Sequence, residues 1–293
     1  MSGVTVAGLA DLVHAALPDE HLSAVDLLTC CGGEGSVTLG DGDGAAVVNV
    51  TRFETERRAG RTPGSPERSR PDDASREVPP VAWILLLAVA PERQREGRGR
   101  ALVDEAAEYA RDQGARELHL GNAVPRYVWP GVDFRLTAAL ALFESCGFDP
   151  YGAEVNMAIP TSFRVPVPEG AIVTRENGDG AVRLAARIHP HWADEVGRAT
   201  AGGTCFVARD IHGATLGFAC HSVNRHALIG PMATDPERRG LGIGGALLSA
   251  LCTDLRDAHG LEETEISWVG PIGFYAKAGA RVSRVFRTAR LAL

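Results

Sequence analysis

Two glycine-rich segments carry residue types at a spacing that could bind an anion. Residues 91–102 read PERQREGRGRAL and residues 236–247 read PERRGLGIGGAL, with seven of the twelve positions identical. Each segment follows an apolar stretch and ends where a helical pattern begins. Glycines let backbone N–H groups come close to an anion, and a helix N-terminus adds unpaired donors and the positive end of its dipole. Both segments therefore predict a binding site for a pyrophosphate group.

Two other phosphate-binding loops fit these segments less well. A Walker loop requires a Lys-Ser or Lys-Thr pair after its last glycine, and neither segment has one. Gly240, Gly242 and Gly245 satisfy the GxGxxG string of dinucleotide-binding loops, but residues 235–239 separate the first glycine from its strand. The first segment carries arginines at two of these glycine positions. Both copies share the pattern (Q/R)xxGxG, and a purely structural tight turn is the remaining alternative.

The apolar periodicity around these segments predicts a mixed α/β structure in each half of the chain. Helices are expected where apolar residues recur every three to four positions, at 6–17, 101–113, 138–145, 179–188, 191–199, 245–258 and 271–278. Strands are expected in alternating or continuously apolar runs, at 24–29, 36–39, 45–50, 81–89, 117–120, 155–159, 204–208, 214–222, 227–233, 263–268 and 281–290. Glycines and aspartates at 40–44 indicate a hairpin turn.

The duplication also predicts the domain organisation. The two segments are 145 residues apart in a chain of 293. A repeat of about half the chain indicates duplicated domains, because solenoid repeats have periods of about 20–50 residues. The length alone also favours two domains. We predict an N-terminal domain over residues 1–160, a linker over 161–170 and a C-terminal domain over 171–293.

One long segment interrupts this pattern. Residues 54–80 are rich in Arg, Pro, Ser and Asp and contain almost no apolar side chains. Such a segment cannot bury enough surface to offset the entropy of ordering, so we predict a mobile insertion. A basic lid or a tRNA-contacting arm is the alternative. The prolines near 160–170 fit the predicted linker.

Composition limits the class of protein. Hydrophobic residues make up 45% and charged residues 23%, which is typical of a globular chain. The net charge of −7 disfavours a bulk nucleic-acid binder. The longest apolar run, residues 81–90, is half of the about 20 residues that a membrane span needs, and no secretory signal is visible. Six cysteines without ligand spacing predict free thiols in a reducing cytoplasm. His189 and His191 have no further ligands at metal spacing, so no metal site is predicted.

With these motifs the sequence resembles the GNAT acyltransferase superfamily, and in particular its tandem two-domain members. IGPMATDPERRGLGIGGALL at 229–248 looks like the strand, pyrophosphate loop and helix of the family, and ISWVGPIGFYAKAGA at 266–280 looks like the next strand and helix end. PRYVWPGVD at 125–133 is similar to an insertion in some tandem members. The resemblance implies two tandem GNAT-like domains, each with a mixed central sheet whose middle strands splay apart and are flanked by helices.

The resemblance also implies acetyl-CoA or another acyl-CoA as co-substrate, and no metal. In the second half, the pantetheine arm would pair with the backbone of Met232, Ala233 and Thr234. The pyrophosphate would be held by the amides of Arg239, Gly240, Leu241, Gly242, Ile243 and Gly244. The matching residues of the first half are Val89, Gln94, Arg95, Gly97, Arg98 and Gly99.

Tyr275 matches the family tyrosine that protonates the departing thiolate, which implies catalysis in the second half. A phenol close to the sulfur can supply that proton. Packing at a helix end is the alternative role for this residue. The general base should be a carboxylate or an imidazole. Glu265 is the first candidate because it lies on the strand that leads to the reaction centre, and His119 and His221 are the next candidates.

The first half differs at the position that corresponds to Tyr275. That position is Phe143, which has no proton to donate. Three polar residues could take its place, and these are Asn122, Tyr127 and Tyr151. We therefore expect this half to bind CoA without turnover or to form a wall of the substrate site.

Two classes of function remain open. The first is an acyl-CoA-dependent N-acyltransferase, in which the amine of a small molecule attacks the thioester directly and the acyl group is acetyl. The second is a non-catalytic acyl-CoA-binding protein; Tyr275 and the two glycine segments favour the enzyme. Within the same fold, an aminoacyl-tRNA could replace acyl-CoA as the donor. The arginine-rich insertion favours that variant, and the net charge disfavours it.

Overall fold

The strands of both halves belong to one continuous sheet in the computed structural model, which describes residues 5–51, 79–121 and 123–293. The strands are β1 (Ser36–Asp41), β2 (Gly44–Thr51), β3 (Val81–Val89), β4 (Glu117–Leu120), β5 (Val132–Asp133), β6 (Asp149–Pro160), β7 (Ala171–Arg175), β8 (Cys205–Asp210), β9 (Thr215–His221), β10 (Ile229–Thr234), β11 (Glu263–Ile266) and β12 (Arg281–Ala292). The helices are α1 (Val6–Ala16), α2 (Ala24–Cys31), α3 (Arg98–Asp112), α4 (Thr137–Ser145), α5 (Gly180–Ile188), α6 (Trp192–Ala201), α7 (Ile243–His259) and α8 (Ile272–Ala276).

The strand order confirms a mixed sheet in each half. Across the described ranges the order is β1-β2-β3-β4-β12-β6-β11-β10-β9-β8-β7, and β5 pairs with β12. The pairs β3–β4 and β10–β11 are parallel, and the other pairs are antiparallel. Each half therefore has one parallel pair, and a helix connects the two strands of each pair, α3 between β3 and β4 and α7 between β10 and β11.

The last strand of the chain lies between strands of the first half. β12 pairs with β4 at Leu291↔Leu118 and pairs with β6 along most of its length. β6 in turn pairs with β11 of the second half at Met157↔Ile266. The predicted domain limits stay a prediction, and the hydrogen-bonded strand pairing crosses them.

Helices cover both faces of the sheet, and each buries one apolar side. The side of α7 that packs on β8, β9 and β10 consists of fully buried residues at helical spacing, namely Leu247, Leu248, Leu251, Cys252 and Leu255. α5 and α6 pack on the opposite face, where Phe218 and Cys220 of β9 belong to their cluster. Alternate residues of one strand thus serve two cores, as the two-residue period of a strand requires.

Polar contacts also join the two halves. Arg198 of α6 donates its Nη2 to the carbonyl oxygen of Pro125 at 2.9 Å. The thiol of Cys30 in α2 donates to the carbonyl oxygen of Asn224 at 3.1 Å. Because these groups are largely buried, losing one partner would leave a polar atom unsatisfied. The halves are therefore fixed to one another by more than the shared sheet.

The prediction of a strand over residues 24–29 is wrong, because this segment forms α2. The hydroxyl of Ser23 accepts the N–H of Asp26 at 3.1 Å, and the carboxylate of Asp26 accepts the N–H of Ser23 at 2.9 Å. This capping box satisfies donors that a helix start otherwise leaves unpaired. Leu27 and Cys30 face the core from one side of the helix. In addition, β5 and β7 lie in segments for which the sequence predicts no strand.

All six cysteines are free thiols, as predicted. No helix in the described ranges has both the length and the apolarity needed to cross a membrane. The predicted insertion over 54–80 lies outside the described residues except for its last two prolines.

Candidate active site

The parallel strands of the second half separate directly after they meet. β10 and β11 pair only at Ile229↔Ile266, and a bulge follows in β10 between Ile229 and Met232. Beyond the bulge, residues 232–234 pair with β9 alone, so their other edge has no strand partner among the described residues. An open edge of this kind offers backbone donors and acceptors to an extended, amide-containing chain.

The second glycine segment leads from this open edge into α7. Gly240 and Gly242 have φ angles of 81° and 79°, in the left-handed region that glycine adopts without strain. Gly242 is the N-cap of α7, and no side chain caps this helix end. The first N–H groups of the helix are therefore available to an anion, and the helix dipole favours negative charge there. The residues predicted to hold a pyrophosphate, 239–244, lie together at this point.

Close packing around this loop also favours small residues. A Cβ atom on Gly244 would lie 3.3 Å from the ring of Phe274 in α8. A Cβ atom on Gly242 would lie 3.2 Å from Cγ of Pro168 in the predicted linker. The loop is thus bordered by α8 on one side and by the segment before β7 on the other.

Tyr275 on α8 belongs to the buried cluster that contains Ile229 and Ile266, the residues at which the two strands part. The tyrosine is 6% exposed, and its ring meets that of Phe274 edge-on with the centroids 4.9 Å apart. Burial raises the pKa of the phenol, so the hydroxyl keeps its proton at neutral pH. Within the described part of the chain no group hydrogen-bonds to this hydroxyl, which leaves its proton available to a ligand.

Glu265 lies one residue before the point at which β11 leaves β10. One carboxylate oxygen accepts Nη2 of Arg225 at 3.3 Å, and the other accepts the hydroxyl of Ser283 at 3.3 Å. The side chain is 24% exposed, so water reaches it. This carboxylate is held in place by a cation and a hydroxyl while one side stays open to solvent, as a water-mediated base requires.

Buried donors without partners surround the same strand ends. Among the described residues, Nδ2 of Asn156 and Nε of Arg225 are two such atoms. Oδ1 of Asn156 accepts the N–H of Trp268 at 2.9 Å, and Tyr127 meets the Trp268 ring edge-on at 5.5 Å. Buried polar atoms normally have partners, because leaving one unpaired costs about 1–3 kcal/mol. These atoms could therefore contact a bound molecule that accepts hydrogen bonds.

The first half repeats the backbone geometry. β3 and β4 pair up to Ile84↔Leu120, and β3 then continues to Val89 without β4. Gly97 has a φ of 85° and is the uncapped N-cap of α3, in the same way as Gly242 of α7. The two predicted loops thus share the same backbone conformation at the glycine that begins the helix.

Charges distinguish the first loop from the second. Arg98 donates Nη1 to Asp41 at 3.1 Å and Nη2 to Asp43 at 3.2 Å, and Gln94 donates Nε2 to the carbonyl of Val89 at 3.0 Å. The pKa of Asp41 is lowered, first by the N–H of Asp43 and then by Arg98. Two predicted phosphate ligands are therefore engaged by protein groups, and two carboxylates lie beside the loop. Sequence analysis assigned these aspartates only to a hairpin turn.

Phe143 in the first half has a packing role. It is buried, and its ring meets Phe148 edge-on with the centroids 5.3 Å apart. Of the three residues predicted as substitutes, Asn122 lies outside the described residues, and Tyr127 is buried against Trp268. Tyr151 is exposed, and its hydroxyl lies 3.4 Å from Nδ1 of His119.

The remaining candidate residues are held by neighbouring polar groups. His119 lies 3.1 Å from a Glu117 carboxylate oxygen and 3.4 Å from the Tyr151 hydroxyl, and burial lowers its pKa. His221 is fully buried and lies 2.8 Å from a carboxylate oxygen of Asp254, on the α7 face. His221 pairs with Ile229 and Glu265 precedes Ile266, so both lie beside the strand separation, and Glu265 is the one that solvent reaches.

Glu195 on α6 is a buried carboxyl that sequence analysis did not identify. It is 4% exposed, and Nδ2 of Asn224 donates to its Oε1 at 2.8 Å. Burial raises the pKa of Glu195 to about 8, although Arg198 and Asn224 act in the opposite direction. Groups with strongly perturbed pKa values are enriched at functional sites. A single glutamate in an amphipathic helix carries no sequence signal of such burial.

Replacing Glu195 with glutamine should flatten the pH dependence of stability. The native carboxyl keeps its proton up to about pH 8, whereas the unfolded chain releases it near the ordinary value of 4.5. Between these values the native state binds more protons, so the free energy of unfolding falls as pH rises. The amide keeps the acceptor for Asn224 and removes this loss, which is a few kcal/mol at about pH 8. Urea unfolding at about pH 5 and pH 8 measures this loss of stability.

Glu108→Gln, at an exposed position, is the control. The expectation is contradicted if the free energy of unfolding of Glu195→Gln falls between the two pH values as steeply as that of the wild type.

Comparisons with known protein families agree with this geometry. Residues 201–279 match the acetyltransferase (GNAT) domain, and residues 68–148 match the acetyltransferase (GNAT) family. Together the two matches span more than half of the chain. A search of curated proteins finds no match.

Solved structures share the fold over nearly the whole chain. A GCN5-related glucosamine N-acetyltransferase region of a fungal multi-domain GH3 β-N-acetylglucosaminidase aligns with a TM-score of 0.72 and 18% identity over 98% of this chain, which spans 37% of that protein. A GCN5-related N-acetyltransferase from Sphaerobacter thermophilus aligns with a TM-score of 0.63 and 18% identity, covering 99% of this chain and 94% of that one. A tandem GNAT protein from the clavulanic acid biosynthesis pathway gives a TM-score of 0.66 and 18% identity, covering 98% and 94%.

At 18% identity, the structural similarity establishes the fold. The two matches to family models establish the membership of the family. Both halves contain the parallel strand pair and the glycine segment at the start of a helix. The chain therefore belongs to the GNAT acetyltransferase family, as a protein with two such domains in tandem.

Proposed function

We propose that the second half holds the active site of an acyl-CoA-dependent N-acyltransferase that acylates the amine of a small molecule, with acetyl as the acyl group. The observation that carries this proposal is the continuous path from the open edge at Met232–Thr234 to the uncapped start of α7. The edge suits the amides of pantetheine, and the helix start suits the pyrophosphate. Both groups occur in CoA in that order.

The proposed reaction is direct attack by the amine on the thioester. The nitrogen lone pair forms a bond to the carbonyl carbon, the carbon–sulfur bond breaks, and CoA leaves as a thiolate. The hydroxyl of Tyr275 donates its proton to that thiolate. The nitrogen loses one proton, which passes through water to the carboxylate of Glu265. Proton exchange with solvent then restores both side chains.

The acceptor is proposed to bind where the start of β10 meets the end of β11. The support is the group of unpartnered buried donors there, including Nδ2 of Asn156 and Nε of Arg225. Such donors favour a small molecule that carries oxygen acceptors in addition to its amine. The ring of Trp268, with Tyr127 against it, offers an apolar surface beside them.

The first half is proposed to be non-catalytic. Arg98 is paired with Asp41 and Asp43, so a pyrophosphate would have to displace two carboxylates from the loop. Phe143 also lacks a proton for the thiolate. Both features favour a supporting role for this half in positioning β12 and the acceptor site.

Acetyl-CoA should raise the melting temperature of the protein, because the proposed site exists only in the folded chain. At a ligand concentration a hundredfold above Kd the linkage is about 2.7 kcal/mol. Pantetheine lacks the pyrophosphate and is the matched control ligand, which should stabilise the protein less. Thermal unfolding with CoA, acetyl-CoA and longer acyl-CoAs measures this.

Thermal unfolding together with activity assays separates the competing functions. If no thioester shifts the melting temperature, the proposed CoA site is wrong. A shift without turnover of any amine would instead favour an acyl-CoA-binding protein. Activity that is lost on RNase treatment would favour an aminoacyl-tRNA donor.

A further inference from the structure

Three side chains at the far end of α7 place ligand atoms at metal-binding spacing. His221 ends β9, and Asp254 and His259 lie in the last two turns of α7. One ligand atom from each residue lies within 4.8 Å of the others. Zinc binds imidazole nitrogen and carboxylate oxygen at about 2.0–2.2 Å, so a shared ion requires only a small closing movement. His259 is exposed and can make that movement, whereas His221 is held in the core.

The hydrogen bonds of His221 suit a metal ligand. Its Nδ1 lies 2.9 Å from the hydroxyl of Ser222, and that hydroxyl also accepts the N–H of Ala227 at 2.9 Å. Without an ion, Nε2–H donates to Asp254 and Nδ1 accepts the Ser222 hydroxyl; an ion would bind the other tautomer, in which Nδ1–H donates to Ser222 and the lone pair of Nε2 is free to coordinate. A ligating histidine usually donates its second ring nitrogen to a protein acceptor in this way.

The surroundings leave coordination positions available. Arg175 pairs with Oδ1 of Asp254, while Oδ2 faces His221 at 2.8 Å. The ring of His226 lies 5.1 Å from that of His259, centroid to centroid, and could supply a fourth ligand. Because His259 is exposed, an ion can reach the cluster from solvent.

The cluster lies away from the proposed pyrophosphate loop. It lies at the C-terminal end of α7, whereas the glycine segment lies at the N-terminal end. At 1.5 Å per residue, Asp254 lies about 18 Å and His259 about 26 Å along the helix from Gly242. An ion in the cluster would therefore connect the end of β9 to the end of α7, away from the pyrophosphate of acyl-CoA.

We propose that His221, Asp254 and His259 form a structural site for a divalent transition-metal ion of the Zn²⁺ class. Two imidazoles with one carboxylate favour Zn²⁺, Co²⁺ or Ni²⁺ over Mg²⁺ and Ca²⁺, which prefer oxygen ligands alone. His226 or water completes the coordination. The ion stabilises the folded chain because it binds both elements only when they are packed together.

Calorimetric titration of the full chain, without a histidine tag, tests this site. Zn²⁺ should bind with a stoichiometry of one and raise the melting temperature, and bound Co²⁺ should show visible d–d absorption. His259→Gln should lower Zn²⁺ affinity at least about tenfold. The melting temperature of this variant in chelator should equal that of the wild type, because His259 is exposed. His212→Gln, at an exposed histidine in the β8–β9 turn, is the matched control and should bind as the wild type does.

Asp254→Asn provides a second variant that removes the ligand charge and should also weaken binding. The proposal is overturned if the wild type binds no stoichiometric Zn²⁺ at micromolar concentration. It is also overturned if His259→Gln binds Zn²⁺ as tightly as the wild type, or if His212→Gln loses binding to the same extent.

Discussion

Tyr275→Phe should lower kcat by about 10²–10⁴-fold, the range expected when a positioned acid is lost. CoA affinity should stay at the wild-type value, because the substitution removes one hydroxyl and keeps the ring in its cluster with Ile229 and Ile266. The melting temperature should also stay unchanged, since no described group hydrogen-bonds to this hydroxyl. Steady-state kinetics, calorimetry with CoA and thermal unfolding provide the three measurements.

Tyr109→Phe is the control for loss of a phenol. Tyr109 lies on α3 and packs against the core of the first half, away from the strand separation of the second. Its variant should keep the wild-type kcat. If Tyr275→Phe retains full kcat as well, the thiolate takes its proton from another group and the proposed role of Tyr275 is wrong.

Gly242→Val should weaken CoA binding at least about tenfold, which corresponds to 1.4 kcal/mol. A branched side chain at the start of α7 blocks the approach of a phosphate to the backbone amides. Gly97→Val in the first half is matched in backbone strain, because the two glycines have φ angles of 79° and 85°. The left-handed conformation should therefore destabilise both variants by a similar amount, about 1–2 kcal/mol. Gly97→Val should lower activity less than Gly242→Val does. Calorimetry measures the CoA affinity of both variants, and kinetics measures their activity.

One contact separates the two positions and needs its own control. A Cβ atom on Gly242 would lie 3.2 Å from Cγ of Pro168, whereas nothing lies within 4 Å of the corresponding atom on Gly97. Pro168→Ala removes that Cγ atom. Combined with Gly242→Val, it should still show weak CoA binding if the amides bind the pyrophosphate. Loss of turnover in Gly97→Val, with wild-type behaviour of Gly242→Val, would place the active site in the first half.

Local features of this protein could be predicted from the sequence because their causes are local. The glycines at 97 and 242 occur at the same point of a repeated string, and both prove to be left-handed N-caps of helices. The apolar spacing in α7 predicts a helix there, since residues three and four apart share one face. The splayed parallel strands follow from the family resemblance and not from periodicity.

Errors and omissions in the prediction have a local cause in α2 and a long-range cause in β12. Residues 24–29 are short and apolar enough for a strand, yet the capping box at Ser23 and the core contacts of Leu27 favour a helix. A run of six residues does not distinguish the two by periodicity. The position of β12 between β4 and β6 depends on hydrogen bonds with strands more than a hundred residues away.

The sequence by itself determined the repeat, most of the helices and strands, and the two glycine loops, because turn conformation and apolar period depend on neighbouring residues. Only the tertiary structure decided which chemical groups meet at these loops. It brings Asp41 to Arg98 across 57 positions, and it brings His221 to Asp254 across 33. Such contacts depend on how strands and helices pack. Local sequence patterns do not predict which residues meet when they are far apart in the chain.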